Sequence, residues 1–283
     1  MGQVELLIVS ESNAQTYLTE NFEMPIRFLS SNERGASYAR NLGASCARGQ
    51  FLAFLDDDVI LHPKWCELAL ETFDDMSIGA ISGNARASLA NANLDWIPTQ
   101  LMWVVGGSYW DYDEVTDVHG AAGMNFCIRR EIFFDAGGYN DHLGPRNDRP
   151  EARDWDRLGA EESELAMRIM LRTGKRVVFN PHMIAIHRLR RNSLLPFALL
   201  KRAMHVGHNR AYIQTRFSNK ISKLSDTFVI RNLPKQVIST DLFFRPAVFW
   251  KRNSFIAVVL LGTLLGYTLG ILEFRNYRKV TSE

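Results

Sequence analysis

Three consecutive carboxylates are the clearest candidates for chemistry in this sequence. Residues 51–59 read FLAFLDDDV, so a short apolar run ends directly in Asp56, Asp57 and Asp58. Side chains alternate along an extended chain, which predicts that Asp56 and Asp58 point to the same side. Neighbouring carboxylates repel each other unless a cation joins them, and oxygen ligands suit Mg²⁺ or Mn²⁺. We predict a divalent metal site here, with a solvated acidic turn as the alternative.

A second acidic group opens a predicted helix. Residues 161–173 (EESELAMRIMLRT) repeat apolar side chains at four-residue spacing, and Gly174 follows as a C-terminal cap. The positive end of the helix dipole favours ionised carboxylates in the first turn, so a carboxylate there is suited to act as a general base. An acidic turn that only complements the dipole is the alternative interpretation.

The elements that must position these residues are those of an α/β fold. Residues 4–9 (VELLIV) and 51–55 (FLAFL) are apolar runs typical of strands buried on both faces of a sheet. Residues 35–48 between them predict a helix, so together they form a β-α-β unit. The remaining predicted elements are strands at residues 78–82, 176–179 and 183–186, the last two around Pro181, and a mobile surface loop at residues 140–159.

The composition is that of a globular protein. Of the 283 residues 46% are hydrophobic and 23% are charged, which excludes a disordered or fibrous chain. Residues 1–187 carry 16 basic against 27 acidic residues, whereas residues 188–252 carry 14 against 2, so the two regions are expected to have different partners. Cys46, Cys66 and Cys127 form no paired motif, and this favours a reducing, cytoplasmic setting.

The C-terminal region has the features of a membrane-associated segment. Residues 255–272 (FIAVVLLGTLLGYTLGIL) contain no charge and have basic residues on both sides. As a helix this run spans about 27 Å, just enough for a bilayer core. The basic region before it repeats apolar side chains at helical spacing, which is typical of amphipathic helices on a membrane surface. Nucleic acid is the less favoured partner, because the adjoining apolar run already explains where the charge lies.

The order of these features resembles the family 2 glycosyltransferases, inverting enzymes of the GT-A fold. Residues 32–59 (NERGASYARNLGASCARGQFLAFLDDDV) are similar to the family's G-x-x-x-A-R-N-x-G helix, strand and D-x-D site. Residues 123–130 (GMNFCIRR) are similar to its acceptor-side segment, and residues 161–165 (EESEL) to its E-D-x-E-L helix start. His187 stands where the family often has a histidine after the last strand. These motifs together cover about residues 4–190 in the expected order.

The resemblance implies a role for each candidate residue. Its metal site corresponds to Asp56 and Asp58, and His187 is either a further metal ligand or a hydrogen-bonded structural residue; imidazole suits Mn²⁺ better than Mg²⁺. The donor-binding residues that it implies are Arg40, Asn41, Asp56 and Asp57. The acceptor-side residues that it implies are Gly123 and Asn125.

The resemblance also indicates a general base. The family usually has Asp as the second acid of the helix start, where this sequence has Glu162, one methylene longer; Glu161 is therefore the second choice. The cation would neutralise charge on a nucleoside diphosphate leaving group, and the base would activate an acceptor hydroxyl. If the acceptor is an anionic phosphate oxygen, the base matters less.

The beginning of the chain departs from the family pattern. Family members normally start with a strand ending in a P-T-Y-N type turn, then a helix, then a second strand ending in D-x-S. Residues 4–12 (VELLIVSES) correspond to that second strand, with Ser10 in the place of an acid. The first strand is missing, which predicts unpaired edges on its neighbours. An N-terminally incomplete form and a degenerate relative both fit this pattern.

We therefore predict an α/β protein of the GT-A type, with a mixed sheet flanked by helices. The predicted boundaries are residues 1–190 for the GT-A domain, 191–252 for basic amphipathic membrane-surface helices, 253–274 for one transmembrane or membrane-inserted helix and 275–283 for a basic tail. The predicted function is metal-dependent transfer of a sugar from a nucleotide-sugar donor to a lipid-linked or polyprenyl-phosphate acceptor. Nucleotide sugars are cytosolic, so the catalytic domain is expected at the cell membrane, facing the cytoplasm. A non-catalytic scaffolding module and a soluble hydrolase are the alternatives.

Overall fold

The computed structural model describes residues 4–10, 24–90, 92–144, 159–217 and 245–280, of which residues 275–280 are described as helical backbone alone. Every structural statement below refers to these residues. Parts of the predicted surface loop and of the predicted basic amphipathic region, at residues 145–158 and 218–244, lie outside them.

Short strands and helices follow one another along the chain. The helices are α1 (Ala36–Cys46), α2 (Trp65–Phe73), α3 (Arg130–Asp135), α4 (Glu161–Thr173), α5 (Pro196–Arg216) and α6 (Pro246–Val280). The strands are β1 (Leu6–Ser10), β2 (Ile26–Ser30), β3 (Phe51–Leu55), β4 (Val59–Leu61), β5 (Ile78–Ser88), β6 (Thr116–Asp117), β7 (Asn125–Arg129) and β8 (Arg176–Arg188). The prediction of α4 is confirmed at both ends, and Gly174 caps it in the left-handed conformation, with φ of 68°.

The central sheet is mixed and has the order β3-β7-β5-β8-β4, with β6 beside β8. Strands β5 and β8 run parallel, and the β3–β7, β5–β7 and β4–β8 pairs are antiparallel. Strand β8 continues through Pro181, where two strands were predicted. The register moves from Gly83–Asn180 to Asn84–Ile184, so the extra residues bulge out and the strand does not end.

A separate pair of parallel strands, β1 and β2, precedes the central sheet. This corrects the predicted β-α-β unit, which omits β2 and places β1 and β3 in one sheet. Helix α1 packs on both sheets. A Cβ at Gly43 would lie 3.3 Å from the Val9 side chain, and Ala44 belongs to the same core cluster as Leu52 and Phe54.

Strand β3 has one buried face, not the two that were predicted. Leu52 and Phe54 are buried, whereas Ala53 and Leu55 are exposed. Among the described strands β3 pairs with β7 alone, and β1 pairs with β2 alone. The end of β3, with the carboxylates that follow it, therefore lies at an edge of the central sheet.

The main core lies between the central sheet and helices α3 and α4. Phe126, Phe133, Phe179, Leu165 and Ile169 are each no more than 1% exposed. Burial of one such side chain contributes about 1.5–3 kcal/mol. Because α4 is anchored through its apolar face, its first turn holds a fixed position beside the sheet.

Helices α5 and α6 pack side by side through small residues, a pairing that the sequence analysis did not predict. Gly262, Gly266 and Gly270 recur at four-residue spacing on α6, and a Cβ at any of them would press against α5. Close backbone approach of this kind is typical of helix pairs with a small-xxx-small pattern. By length and composition, Pro246–Phe274 is apolar enough to cross a membrane.

Candidate active site

The candidate active site is built around Arg40, on the first turns of α1. Its Nη2 lies 3.2 Å from Oδ1 of Asp56, which directly follows β3. Its Nη1 donates to Oε1 of Glu161 at 3.1 Å and to Oε1 of Glu162 at 2.9 Å, both in the first turn of α4. The Tyr139 ring lies against the guanidinium, 5.3 Å from its centre. The fold thus brings one cation and three predicted carboxylates together from distant parts of the chain.

The charges of this cluster affect one another strongly. Burial alone would lower the pKa of Arg40, but the carboxylates, Glu162 first, raise it above its usual value. Burial raises the pKa of Glu161 well above the ordinary carboxyl range, and the neighbouring Glu162 raises it further. Both effects favour the neutral form of Glu161, whereas the Arg40 cation favours the ionised form. Oε2 of Glu161 is buried and has no hydrogen-bond partner among the described residues.

This result corrects one expectation about the helix start. The helix dipole was expected to favour ionised carboxylates in the first turn of α4, but for Glu161 the loss of solvation outweighs that effect. Glu162 differs because its side chain is 14% exposed against 4% for Glu161, and it makes the shorter contact with Arg40. Of the two acids, Glu162 is the more accessible to a substrate.

Asp58 and His187 form a second pair of neighbouring side chains. Oδ2 of Asp58 is 3.4 Å from Nε2 of His187, at the end of β8. His187 Nδ1 is 3.0 Å from the carbonyl oxygen of Gly106. Because a carbonyl only accepts, Nδ1 carries the proton and the Nε2 lone pair faces the Asp58 carboxylate. A cation between these acceptors, or a second proton on the ring, satisfies this arrangement.

The predicted three-ligand set is not gathered at one point. In the described part of the chain, no group of three or more His, Cys, Asp or Glu side chains is close enough to hold a metal ion. Asp56 faces Arg40, whereas Asp58 faces His187, and Asp57 is exposed. The reason is local: β3 ends at Leu55 and a turn follows, so the alternation of an extended chain does not continue through these residues.

Two residues predicted to contact substrates have roles in the framework. Asn41 donates to the Tyr139 carbonyl at 2.8 Å and accepts from the Tyr139 amide at 2.8 Å, so it holds the turn that carries this ring. Asn125 is fully buried, where it accepts from the indole of Trp65 and donates to the Met183 carbonyl, both at 2.8 Å. These contacts fix Asn125 between α2 and β8 and leave it no face toward the cleft.

Gly123 lies directly beside the Glu162 carboxylate, where a Cβ would overlap it. We expect Gly123→Ala to displace Glu162 from Arg40 and to lower transfer activity by more than about tenfold, because misplacement of a catalytic group by an ångström is costly. The matched control is Gly43→Ala on α1, whose Cβ would meet its nearest atom, Cγ2 of Val9, at 3.3 Å. Initial rates of both variants, with the far-ultraviolet spectrum as a check of folding, measure the effect. Equal rates for the two would contradict it.

Sequence reasoning missed several residues that shape the site. Tyr139 supports Arg40, and Gly106 is needed beside His187, because a Cβ there would overlap the ring. It also missed a cavity of about 210 Å³ between α4, α5 and residues 119–121. The glycine pairs at residues 106–107 and 137–138 were the signals available in the sequence. The side chains that line the cavity include Trp103, Tyr109, Ser163, Asn209, Arg210 and Gln214.

Comparisons with known proteins agree with this architecture. A mannosyltransferase from Pyrobaculum calidifontis, solved in complex with GDP-Man and Mn²⁺, superposes with a TM-score of 0.52 at 15% identity, covering 98% of this chain and 74% of that one. The fold is therefore of the GT-A type, as predicted. Residues 10–135 match the model of Glycosyl transferase family 2. This part of the chain is similar to that family.

Curated relatives point to the same family. The chain is 26% identical over 193 residues to a glucosyl-dolichyl phosphate glucuronosyltransferase of Haloferax volcanii, covering 66% of this chain and 59% of the relative. It is 24% identical over 143 residues to an uncharacterized glycosyltransferase of Haemophilus influenzae, covering 49% of this chain and 47% of the relative. The chain thus spans about half the length of the curated relatives it matches.

Proposed function

We propose that this protein transfers a sugar, with inversion, from a nucleotide-sugar donor to a lipid-linked acceptor at a membrane. The observation that carries the proposal is the pair of acids at the start of α4, one buried and one more accessible, both beside Arg40. Paired acids in different environments take different roles, which is the arrangement that acid-base chemistry needs. The family 2 domain and the lipid-linked chemistry in the name of the Haloferax relative support the choice of reaction.

Asp58 and His187 are the residues that would hold a divalent metal. Their facing acceptor atoms, 3.4 Å apart, fit a cation, and an imidazole ligand favours Mn²⁺ over Mg²⁺. When bound, such an ion neutralises charge on the diphosphate of the donor. Asp56, which pairs with Arg40, would then line the donor site and would not be a metal ligand.

Glu162 is proposed as the general base. The acceptor hydroxyl gives its proton to Glu162 as its oxygen bonds to the anomeric carbon of the donor sugar. The bond from that carbon to the diphosphate breaks, and its electron pair leaves with the nucleoside diphosphate. Arg40 keeps Glu162 directed toward this hydroxyl through the 2.9 Å contact, and Gly123 leaves room beside the carboxylate.

The cavity beside α4 is proposed as the acceptor site. Ser163 lines it and follows Glu162 directly, so the cavity and the base share the first turn of one helix. Its aromatic walls, Trp103 and Tyr109, suit the faces of a sugar ring, and Arg210 suits a phosphate. A volume of about 210 Å³ has room for one small ring and not for a large oligosaccharide.

We propose the same domain boundaries as the sequence analysis up to residue 190, with the catalytic domain at the cytoplasmic face of the cell membrane. Helices α5 and α6 would then form the membrane-associated part.

The test of the whole proposal is a product assay, in which membranes containing the protein are incubated with a panel of labelled nucleotide sugars and Mn²⁺. Lipid-extractable label that depends on the protein supports it. Absence of both labelled lipid and metal-dependent nucleotide binding would favour a scaffolding module.

Removal of the proposed metal ligand gives a sharper test. We expect Asp58→Asn to weaken Mn²⁺-dependent binding of a nucleoside diphosphate at least about tenfold and to lower transfer in proportion, because it removes a charged ligand. Asp74→Asn, an exposed acid at the end of α2, is the matched control and should change neither. Isothermal titration with and without EDTA measures the binding. If Asp58→Asn titrates like the parent, Asp58 is not a metal ligand.

A further inference from the structure

Helix α6 has two sharply different faces. One face is a buried stripe that includes Phe255, Val259 and the three glycines of the α5 contact. The opposite face carries a row of leucines that are 44–64% exposed, a large apolar surface for a protein in water. These exposed side chains are Leu260, Leu261, Leu264, Leu265, Leu269 and Leu272.

The buried stripe is occupied along nearly its whole length. Phe255, Ile256 and Val259 pack in one cluster with residues of the Thr99–Val105 segment of the GT-A domain. The glycines follow against α5, and the Glu273 carboxylate lies 2.8 Å from Nε2 of His208 on α5. The apolar run of α6 is therefore attached sideways to the rest of the protein and does not extend away from it.

Helix α5 carries positive charge at the same level as this apolar run. Its residues 200–211 contact α6 from Gly262 to Gly270, and this stretch contains Lys201, Arg202 and Arg210. The sequence of α5 contains no acidic residue. If α6 crossed a bilayer, these basic side chains and part of the GT-A domain would enter the hydrocarbon with it, which is strongly unfavourable.

We infer that α6 does not span the membrane but lies flat on it, with its leucine face in the acyl region and the basic α5 at the level of anionic headgroups. Of the two alternatives for residues 253–274, this inference favours a membrane-inserted helix over a transmembrane one. The occupant of this surface is a lipid bilayer. The leucine side chains of α6 contact the acyl chains, and the basic side chains of α5 contact anionic phospholipid headgroups. The inference does not depend on the proposed function, since membrane geometry is measured without activity.

Side-specific labelling tests this geometry. Single cysteines, Arg245→Cys before the apolar run and Ser282→Cys after it, are placed in a cysteine-free background and probed with a membrane-impermeant maleimide on sealed vesicles. The flat arrangement predicts that both positions react from the side on which Cys66, exposed on the GT-A domain and kept as the single cysteine of a reference variant, also reacts. Reaction of the two positions from opposite sides overturns the inference.

The leucine face is tested by flotation of the purified protein with vesicles. We expect Leu264→Lys to lower binding to phosphatidylglycerol-containing vesicles more than about tenfold, whereas Leu171→Lys on α4, 55% exposed in the parent, should change it less than twofold. Parent protein should bind phosphatidylcholine vesicles more weakly. Equal binding of both variants overturns the inference, as does a stable dimer that protects Leu264→Cys from labelling without lipid.

Discussion

Replacement of Glu162 by glutamine is expected to lower the rate of glycosyl transfer about 10²- to 10⁴-fold, the usual contribution of a general base. Glutamine keeps the size of the side chain and a carbonyl oxygen toward Arg40 but takes up no proton. Binding of the nucleoside diphosphate, measured by titration calorimetry, should remain within about threefold of the parent, because the change affects the acceptor step. The measurement is the transfer rate at saturating donor.

Glu161→Gln is the matched comparison, one residue away. Since burial raises the pKa of Glu161 and so favours its neutral form, a neutral amide is a conservative replacement, and we expect a loss of less than about tenfold. A larger loss in Glu161→Gln than in Glu162→Gln would exchange the two assignments. Equal, unchanged rates would remove the base role and would indicate an acceptor whose attacking oxygen is already anionic, such as a lipid phosphate.

Arg40→Met is expected to destabilise the protein by about 3–5 kcal/mol. Arg40 is the cation to which Asp56, Glu161 and Glu162 all make contact, and its side chain is 16% exposed. Removing one member of a buried ion pair leaves an uncompensated charge, which costs this much in other proteins. The free energy of unfolding from a urea titration measures the change. The protein should also lose transfer activity, because Glu162 is no longer held.

Arg176→Met supplies the control for that prediction. Arg176 also contacts two carboxylates, Asp75 at 3.0 Å and Asp117 at 2.8 Å, but its side chain is 42% exposed, so solvent screens the pairs. Its loss should cost less than about 1 kcal/mol. The double variant Arg40→Met with Glu162→Gln should recover part of the stability, because one unpaired charge is removed. Similar losses in Arg40→Met and Arg176→Met would show that burial of the Arg40 cluster has no energetic consequence.

Local signals in the sequence were enough for much of the fold. The limits of α4, its Gly174 cap and strand β3 follow from short-range spacing and capping, which depend on neighbouring residues only. The position of Asp56, Asp57 and Asp58 directly after β3 also follows from the local sequence. Failures of prediction occur where distant parts of the chain decide: β2 pairs with β1 outside the central sheet, and Pro181 lies in a bulge of β8 while the strand pairs with β5 before and after it.

The sequence by itself determined which residue types are available for chemistry and where along the chain they occur. Only the tertiary structure decided what each one does. Glu161 and Glu162 are adjacent and identical in type, yet Arg40, Gly123 and the surrounding packing bury one and leave the other accessible. Likewise the apolar run of α6 is long enough for a membrane span, and only the structure shows that α5 packs along it. Solvation and charge depend on neighbours in space, and these are set by contacts between residues far apart in the sequence.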